Sequence, residues 1–155
     1  MLLWRLSSRR KADVLDGGYG LSNDGRWNTR GRAVTYCSTV PSLTALEKRA
    51  HVTDASLLPP LVMVAYSVPD DISMRRIEVQ ELPDDWTRKQ TSTQAIGDSW
   101  LDSALEALLF IPSVIVPIAK APDRNVLINH RAPDAASITV ESKIPFTLDP
   151  RLFKP

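Results

Sequence analysis

Cysteine and histidine are almost missing from this chain, whose 155 residues include one cysteine, Cys37, and two histidines, His51 and His130. A lone cysteine excludes an internal disulfide and suits a reducing compartment. Together with the two histidines it offers no spacing recognised as a metal site, so no metal is expected. Long apolar runs are absent too. No stretch approaches the roughly 20 residues that a membrane-spanning helix needs. The opening Met-Leu-Leu-Trp-Arg turns polar before it can form the apolar core of a secretion signal. A cytoplasmic protein is therefore expected. Charge of one sign is not in excess either. The net charge is +1, so no global field recruits nucleic acid or a membrane, and electrostatic recognition has to be local. The chain has no phosphate-loop lysine motif and no Gly-x-Ser-x-Gly elbow. Gly18-Tyr19-Gly20 does not extend to the dinucleotide fingerprint, because Asn23 stands at its third glycine position.

What is present is ordinary in bulk: 43% hydrophobic and 24% charged residues. That composition and length predict one globular domain, 1–155, with a real core. The local concentration of chemistry is Gly25-Arg26-Trp27-Asn28, in a loop preceded by Gly17, Gly18 and Gly20 and followed by Gly31. Between Arg5 and Arg32 lie seven basic residues and three acidic ones, which makes this the electropositive segment of the chain. Arg26 supplies a planar fork of donors suited to phosphate or carboxylate. Trp27 either pins the loop to the body or forms a wall for a planar ligand; packing under the loop is the expectation.

The pattern along the chain predicts an α+β fold with a mixed, mainly antiparallel sheet and two or three helices. Strands are predicted over Leu2–Leu6, Ala33–Ser38, Leu61–Val68, Met74–Val79, Leu108–Ile111, Val114–Val116, Val126–Asn129 and Ile138–Val140. Residues Ser7 to Gly31 read as one long loop, Pro83 to Gln94 as another, and Pro145 to Pro155 as an irregular tail. A helix opens at Pro41-Ser42, with Ser42 as N-cap, and a second covers Gly97–Glu106. In the first, Leu43, Leu46, Glu47 and Ala50 fall within one arc, with Lys48 and Arg49 pointing away. Glu47 at the edge of an apolar stripe either reaches to water or faces a site. Cys37 on its strand reads as a small core residue rather than a nucleophile, and Trp4, Trp86 and Trp100 as core or core-edge residues.

The ordered set Trp4-Arg5, Gly25-Arg26-Trp27-Asn28, Tyr36-Cys37-Ser38 and Leu43 through Glu47 resembles the RES domain, a family named for an arginine, a glutamate and a serine. The resemblance continues through Gln94, Gly97 and Trp100, then Pro112-Ser113, Val116-Pro117, Asn125 to His130, and Phe146 with Asp149-Pro150-Arg151-Leu152. It spans essentially the whole chain. It implies an ADP-ribosyltransferase-like fold and the toxin of a bacterial toxin–antitoxin pair, with an Xre-type helix-turn-helix antitoxin as partner. It also implies NAD+ as substrate, consumed by hydrolysis, phosphorolysis or ADP-ribosyl transfer. Glu47, Arg5 and Tyr36 are carried over as catalytic residues, with Arg26, Ser113 and Asn125 as NAD+-binding residues. Breaking the nicotinamide–ribose bond passes through an oxocarbenium-like transition state, which a fixed carboxylate stabilises more than the ground state. Glu47 suits that task. Tyr36 is expected to stack on nicotinamide, Arg5 and Arg26 to grip the pyrophosphate, and Ser113 to orient Glu47 or a ribose hydroxyl. A competing reading is a non-catalytic nucleotide- or nucleic-acid-binding module using the basic loop Arg5–Arg32; no nucleic-acid-binding motif accompanies that loop.

Overall fold

Strand pairing dominates the computed structural model, which describes residues 1–153. Seven strands form one sheet: β1 (Leu2–Ser8), β2 (Val34–Ser38), β3 (Leu61–Ser67), β4 (Met74–Arg76), β5 (Leu108–Pro112), β6 (Arg124–Asn129) and β7 (Thr139–Phe146). Their order is β4-β5-β6-β2-β1-β3-β7. Every pairing is antiparallel except β4 with β5. Three α-helices accompany them: α1 (Gly18–Ser22), α2 (Pro41–Ala50) and α3 (Gln90–Ser103). The expected α+β fold with a mixed, mainly antiparallel sheet is the one found.

The sheet has a weak seam. β1 pairs with β3 along its whole length, from Leu2↔Ser67 to Ser8↔Leu61, but with β2 only at Trp4↔Ser38. It therefore behaves as two leaves, β7-β3-β1 and β2-β6-β5-β4, joined at one bridge. Side chains alternate along each strand, and the alternation sorts them into two cores. Leu3, Val62, Val64 and Tyr66 of the first leaf meet Cys37, Phe110, Val126 and Ile128 of the second in one cluster. On the opposite face of the second leaf, Val34, Leu109, Ile111 and Leu127 pack with Trp27, Trp86, Trp100 and Leu101. Cys37 is core, as its strand position suggested, and burial pushes its thiol up to about 12.

Several boundaries differ from the sequence reading, each for a physical reason. α2 starts at Pro41 with Val40 as N-cap, not Ser42. Proline at the first helical position lacks only an N–H that would be unpaired there anyway. On the inward side of α2, Leu43 and Thr44 are buried and Glu47 half-buried, while Leu46 and Ala50 are exposed. Arg49 does not simply point away: it donates to Leu152 O and Val52 O and stacks on Phe153. Val114–Val116 is not a strand, because the amides of Ile115 and Val116 turn back onto the Ser113 hydroxyl. β7 is longer than expected and runs through Pro145, which an edge strand tolerates. The rest of the expected tail closes in a short 3-10 turn, Pro150–Phe153, and its last two residues lie outside the described ones. β4 is shorter than expected and gives way to a 3-10 turn at Val79–Glu81. The long loop Ser7–Gly31 contains a 3-10 turn, Arg9–Lys11, and α1. α3 begins seven residues before Gly97. The glycine is a close-approach position within it rather than a start: a Cβ there would overlap the carbonyl of Trp27.

Candidate active site

The second leaf and α2 bring Glu47 against the end of the β5–β6 hairpin. The Ser113 hydroxyl donates to Glu47 Oε1 at 2.8 Å, and the Asn125 amide donates to the same oxygen. Neither donor is free to turn. Ser113 is fully buried, and its oxygen accepts from the amides of Ile115 at 3.0 Å and Val116 at 3.3 Å. Asn125 Oδ1 accepts from the Ser38 hydroxyl at 2.9 Å, which fixes which end of the amide faces Glu47. One carboxylate oxygen is thus held by two donors. Glu47 Oε2 makes no hydrogen bond among the described residues. A half-buried carboxylate with one oxygen anchored and the other open can hold a ligand hydroxyl or face a developing positive charge.

Tyr36 lies two residues before Ser38, on the same face of β2. Its hydroxyl donates to Asn28 Oδ1 at 2.7 Å and accepts from the Trp27 amide at 3.1 Å. Burial raises its pKa, so the phenol stays protonated as a structural donor, and the ring carries any contact with a ligand. Tyr19, half exposed on α1, meets that ring edge-on with centroids 6.4 Å apart.

Arg26 is presented by a loop that α3 holds from behind. Gln90 and Gln94 donate to Gly25 O at 2.9 and 3.0 Å, and Thr93 donates to Arg26 O at 2.6 Å. Asp98 accepts from the amide and the hydroxyl of Thr29 at 2.8 and 2.7 Å. Asn28, fully buried, donates to Asn23 O and Thr29 O. Trp27 is buried beneath this loop, as expected. The Arg26 guanidinium itself makes one protein hydrogen bond, to Trp86 O at 3.2 Å, so most of its donors remain open.

Arg5 is not part of this gathering. The bridge Trp4↔Ser38 puts Trp4 and Ser38 on one face, and Arg5 and Cys37 on the other. There Arg5 Nη1 donates to Val14 O at 2.9 Å and to the Tyr66 hydroxyl at 3.3 Å. The geometry sets the two guanidiniums apart, Arg26 on the Tyr36 side and Arg5 on the other face of β1. Sequence reasoning gave no role to Ser38, Asn28, Thr93 or Asp98, which position the side chains it did single out. Ser38 and Asn28 stood inside the motifs that carried the family resemblance; Asp98 had no signal.

Known proteins resemble this arrangement over its full length. The family model of the RES domain matches residues 2–149. The "Prs ADP-ribosylating toxin" of Sphingobium sp. (strain YBL2) is 32% identical, covering 97% of this chain and 96% of its own. The "Toxin Res" of Yersinia enterocolitica serotype O:8 / biotype 1B is 31% identical, covering 98% and 99%. A chain from the crystal structure of the M. tuberculosis MbcT–MbcA toxin–antitoxin complex superposes with a TM-score of 0.74 at 16% identity, over 98% of this chain and 86% of that one, and so shares its fold. With its motifs in order and the family model matching nearly all of its length, this chain belongs to the RES-domain family.

Proposed function

We propose that this protein is the toxin of a toxin–antitoxin pair and that it consumes NAD+ by cleaving the nicotinamide–ribose bond. The observation that carries the reading is the Glu47 carboxylate, anchored through Oε1 by Ser113 and Asn125 and open at Oε2. Positive charge develops on the ribose as nicotinamide leaves, and a carboxylate fixed beforehand stabilises it without having to reorganise. Tyr36 offers its ring to nicotinamide, and Arg26, with open donors, binds the pyrophosphate. Arg5 is left out of this set and is assigned to holding the Val14 segment against Tyr66. The relative named for ADP-ribosylation supports transfer to a protein acceptor; water and phosphate would require the same activation of NAD+. The chain's partner is an Xre-type antitoxin that plugs the mouth between Arg26 and Glu47, and the site of action is the cytoplasm, where NAD+ is abundant.

The test is NAD+ loss over time with purified protein, with and without phosphate, beside E47Q. Removing the charge is expected to lower turnover by on the order of 100- to 1000-fold, the loss seen when a transition-state-stabilising group is deleted, with the thermal midpoint unchanged. Labelled NAD+ in cell extract separates transfer from hydrolysis. Equal activity of E47Q and wild type would remove Glu47 from the chemistry and with it this mechanism. A binding module working through the basic loop is less well supported. Arg32 is already paired with Asp98 and Asp102, and Arg5 is committed to Val14 and Tyr66.

A further inference from the structure

Strand β6 carries Asn125 toward Glu47 and therefore Arg124 toward the opposite face. A groove of about 400 Å³ opens there, lined by Thr39, Arg76, Glu78, Lys120 and Arg124 among others. We infer that this groove is a second anion site, taking a phosphate-bearing small molecule independently of the Glu47 face.

Its charge is the first argument. Three cations line it against one carboxylate. Glu78 is already taken by Arg124, at 2.5 Å. Arg76 and Lys120 have no acidic partner among the described residues. Two uncompensated cations on one concave surface repel each other, and a bound anion relieves that repulsion. Rigidity is the second. Arg124 is nearly buried and also donates to Ile77 O at 3.2 Å. Arg76 places its Cζ over the Phe110 ring, 4.2 Å from the centroid. The rim segment is fastened by Thr39, whose hydroxyl donates to Pro122 O at 3.0 Å and accepts from the Arg124 amide at 2.9 Å. Lys120 has φ of 62°, a left-handed conformation unusual for a lysine, at the turn that brings it to the rim. Arg124 and Arg76, held in place, bind an anion at a smaller entropic cost than mobile cations do. A phosphate group, with several acceptor oxygens, suits a guanidinium and an ammonium presented together.

Calorimetric titration of inorganic pyrophosphate and of inorganic phosphate at low ionic strength tests this, with wild type, R76Q/K120Q and R26Q. Both substituted cations are exposed, so the double variant keeps the fold. Wild type and R26Q are expected to bind pyrophosphate in the groove alike, and R76Q/K120Q at least about tenfold more weakly, as loss of charge-assisted hydrogen bonds requires. Tighter binding of pyrophosphate than of phosphate marks a site for phosphoanhydrides, and the reverse a site for single phosphates. Absence of binding to wild type, or equal affinity in R76Q/K120Q, overturns the inference. So does loss of binding in R26Q with R76Q/K120Q unaffected, which would place the anion on the Glu47 face. Because R26Q alters only the Glu47 face and R76Q/K120Q only the groove, failure here leaves the NAD+ reading standing, and failure of the NAD+ reading leaves this one standing.

Discussion

Ser113 does three things with one hydroxyl: it donates to Glu47 Oε1 and accepts from two amides of its own turn. Removing it leaves Glu47 with the Asn125 donor and two backbone amides short of an acceptor. A hydrogen bond to a charged group contributes about 1.5–3 kcal/mol, so S113A is expected to lower NAD+ turnover by roughly 10- to 100-fold by the same arithmetic. S113T keeps the hydroxyl and should restore part of it. Steady-state rates of both variants check this; S113A at wild-type turnover would mean that Asn125 alone positions the carboxylate. At this scale the sequence was informative about identity and less so about direction. Glu47, Ser113 and Asn125 were singled out and do meet. Arg5 was singled out with them and faces away, because strand alternation is set by a register with β2 that a sequence does not display. Ser38 stood in plain view, yet only the pairing of β2 with β6 places it opposite Asn125.

Element boundaries show the same limit. The apolar pattern of Trp100, Leu101, Ala104 and Leu105 placed the second helix from Gly97 onward. Gly97 sits inside α3 because the helix must lie against the Trp27 backbone, and only a residue without a Cβ allows that approach. α3 is the support of the Arg26 loop: Gln90, Thr93, Gln94 and Asp98 all hold it, and Gly97 lets them come near enough to do so. G97A is therefore expected to push α3 off the loop. Overpacking of this kind costs about 1–3 kcal/mol, which for a domain of this size lowers the thermal midpoint by several degrees. The KM for NAD+ should rise as the Arg26 loop loosens. A calorimetric scan beside the KM separates the effects. An unchanged midpoint would mean that α3 and the loop have room that the close contact at Gly97 denies.

The molecule as a whole is two leaves meeting at one bridge, and the second leaf carries a half-buried titratable group just past β6. That group is His130. Its Nε2 lies 2.8 Å from the Thr35 hydroxyl, and Gly17 is fitted so closely against it that a Cβ there would collide with its ring. Burial lowers its pKa from the ordinary 6.5; Asp16 opposes that shift and Arg5 reinforces it. The sign follows from linkage. The unfolded chain takes up a proton near 6.5, while the folded protein resists until lower pH, so the unfolded state binds more protons in between. The stability owed to neutral His130 is fully present above about 6.5. It is lost as pH falls from there through the folded pKa, and carboxylates add their own losses only further down. Urea unfolding at pH 7.5, 6.5 and 5.5 should give a falling midpoint for wild type and a flatter one for H130Q, whose amide keeps a partner for Thr35 and does not titrate. Parallel curves would show that the half-buried site of His130 tolerates the charge, and that its neutrality contributes nothing to stability.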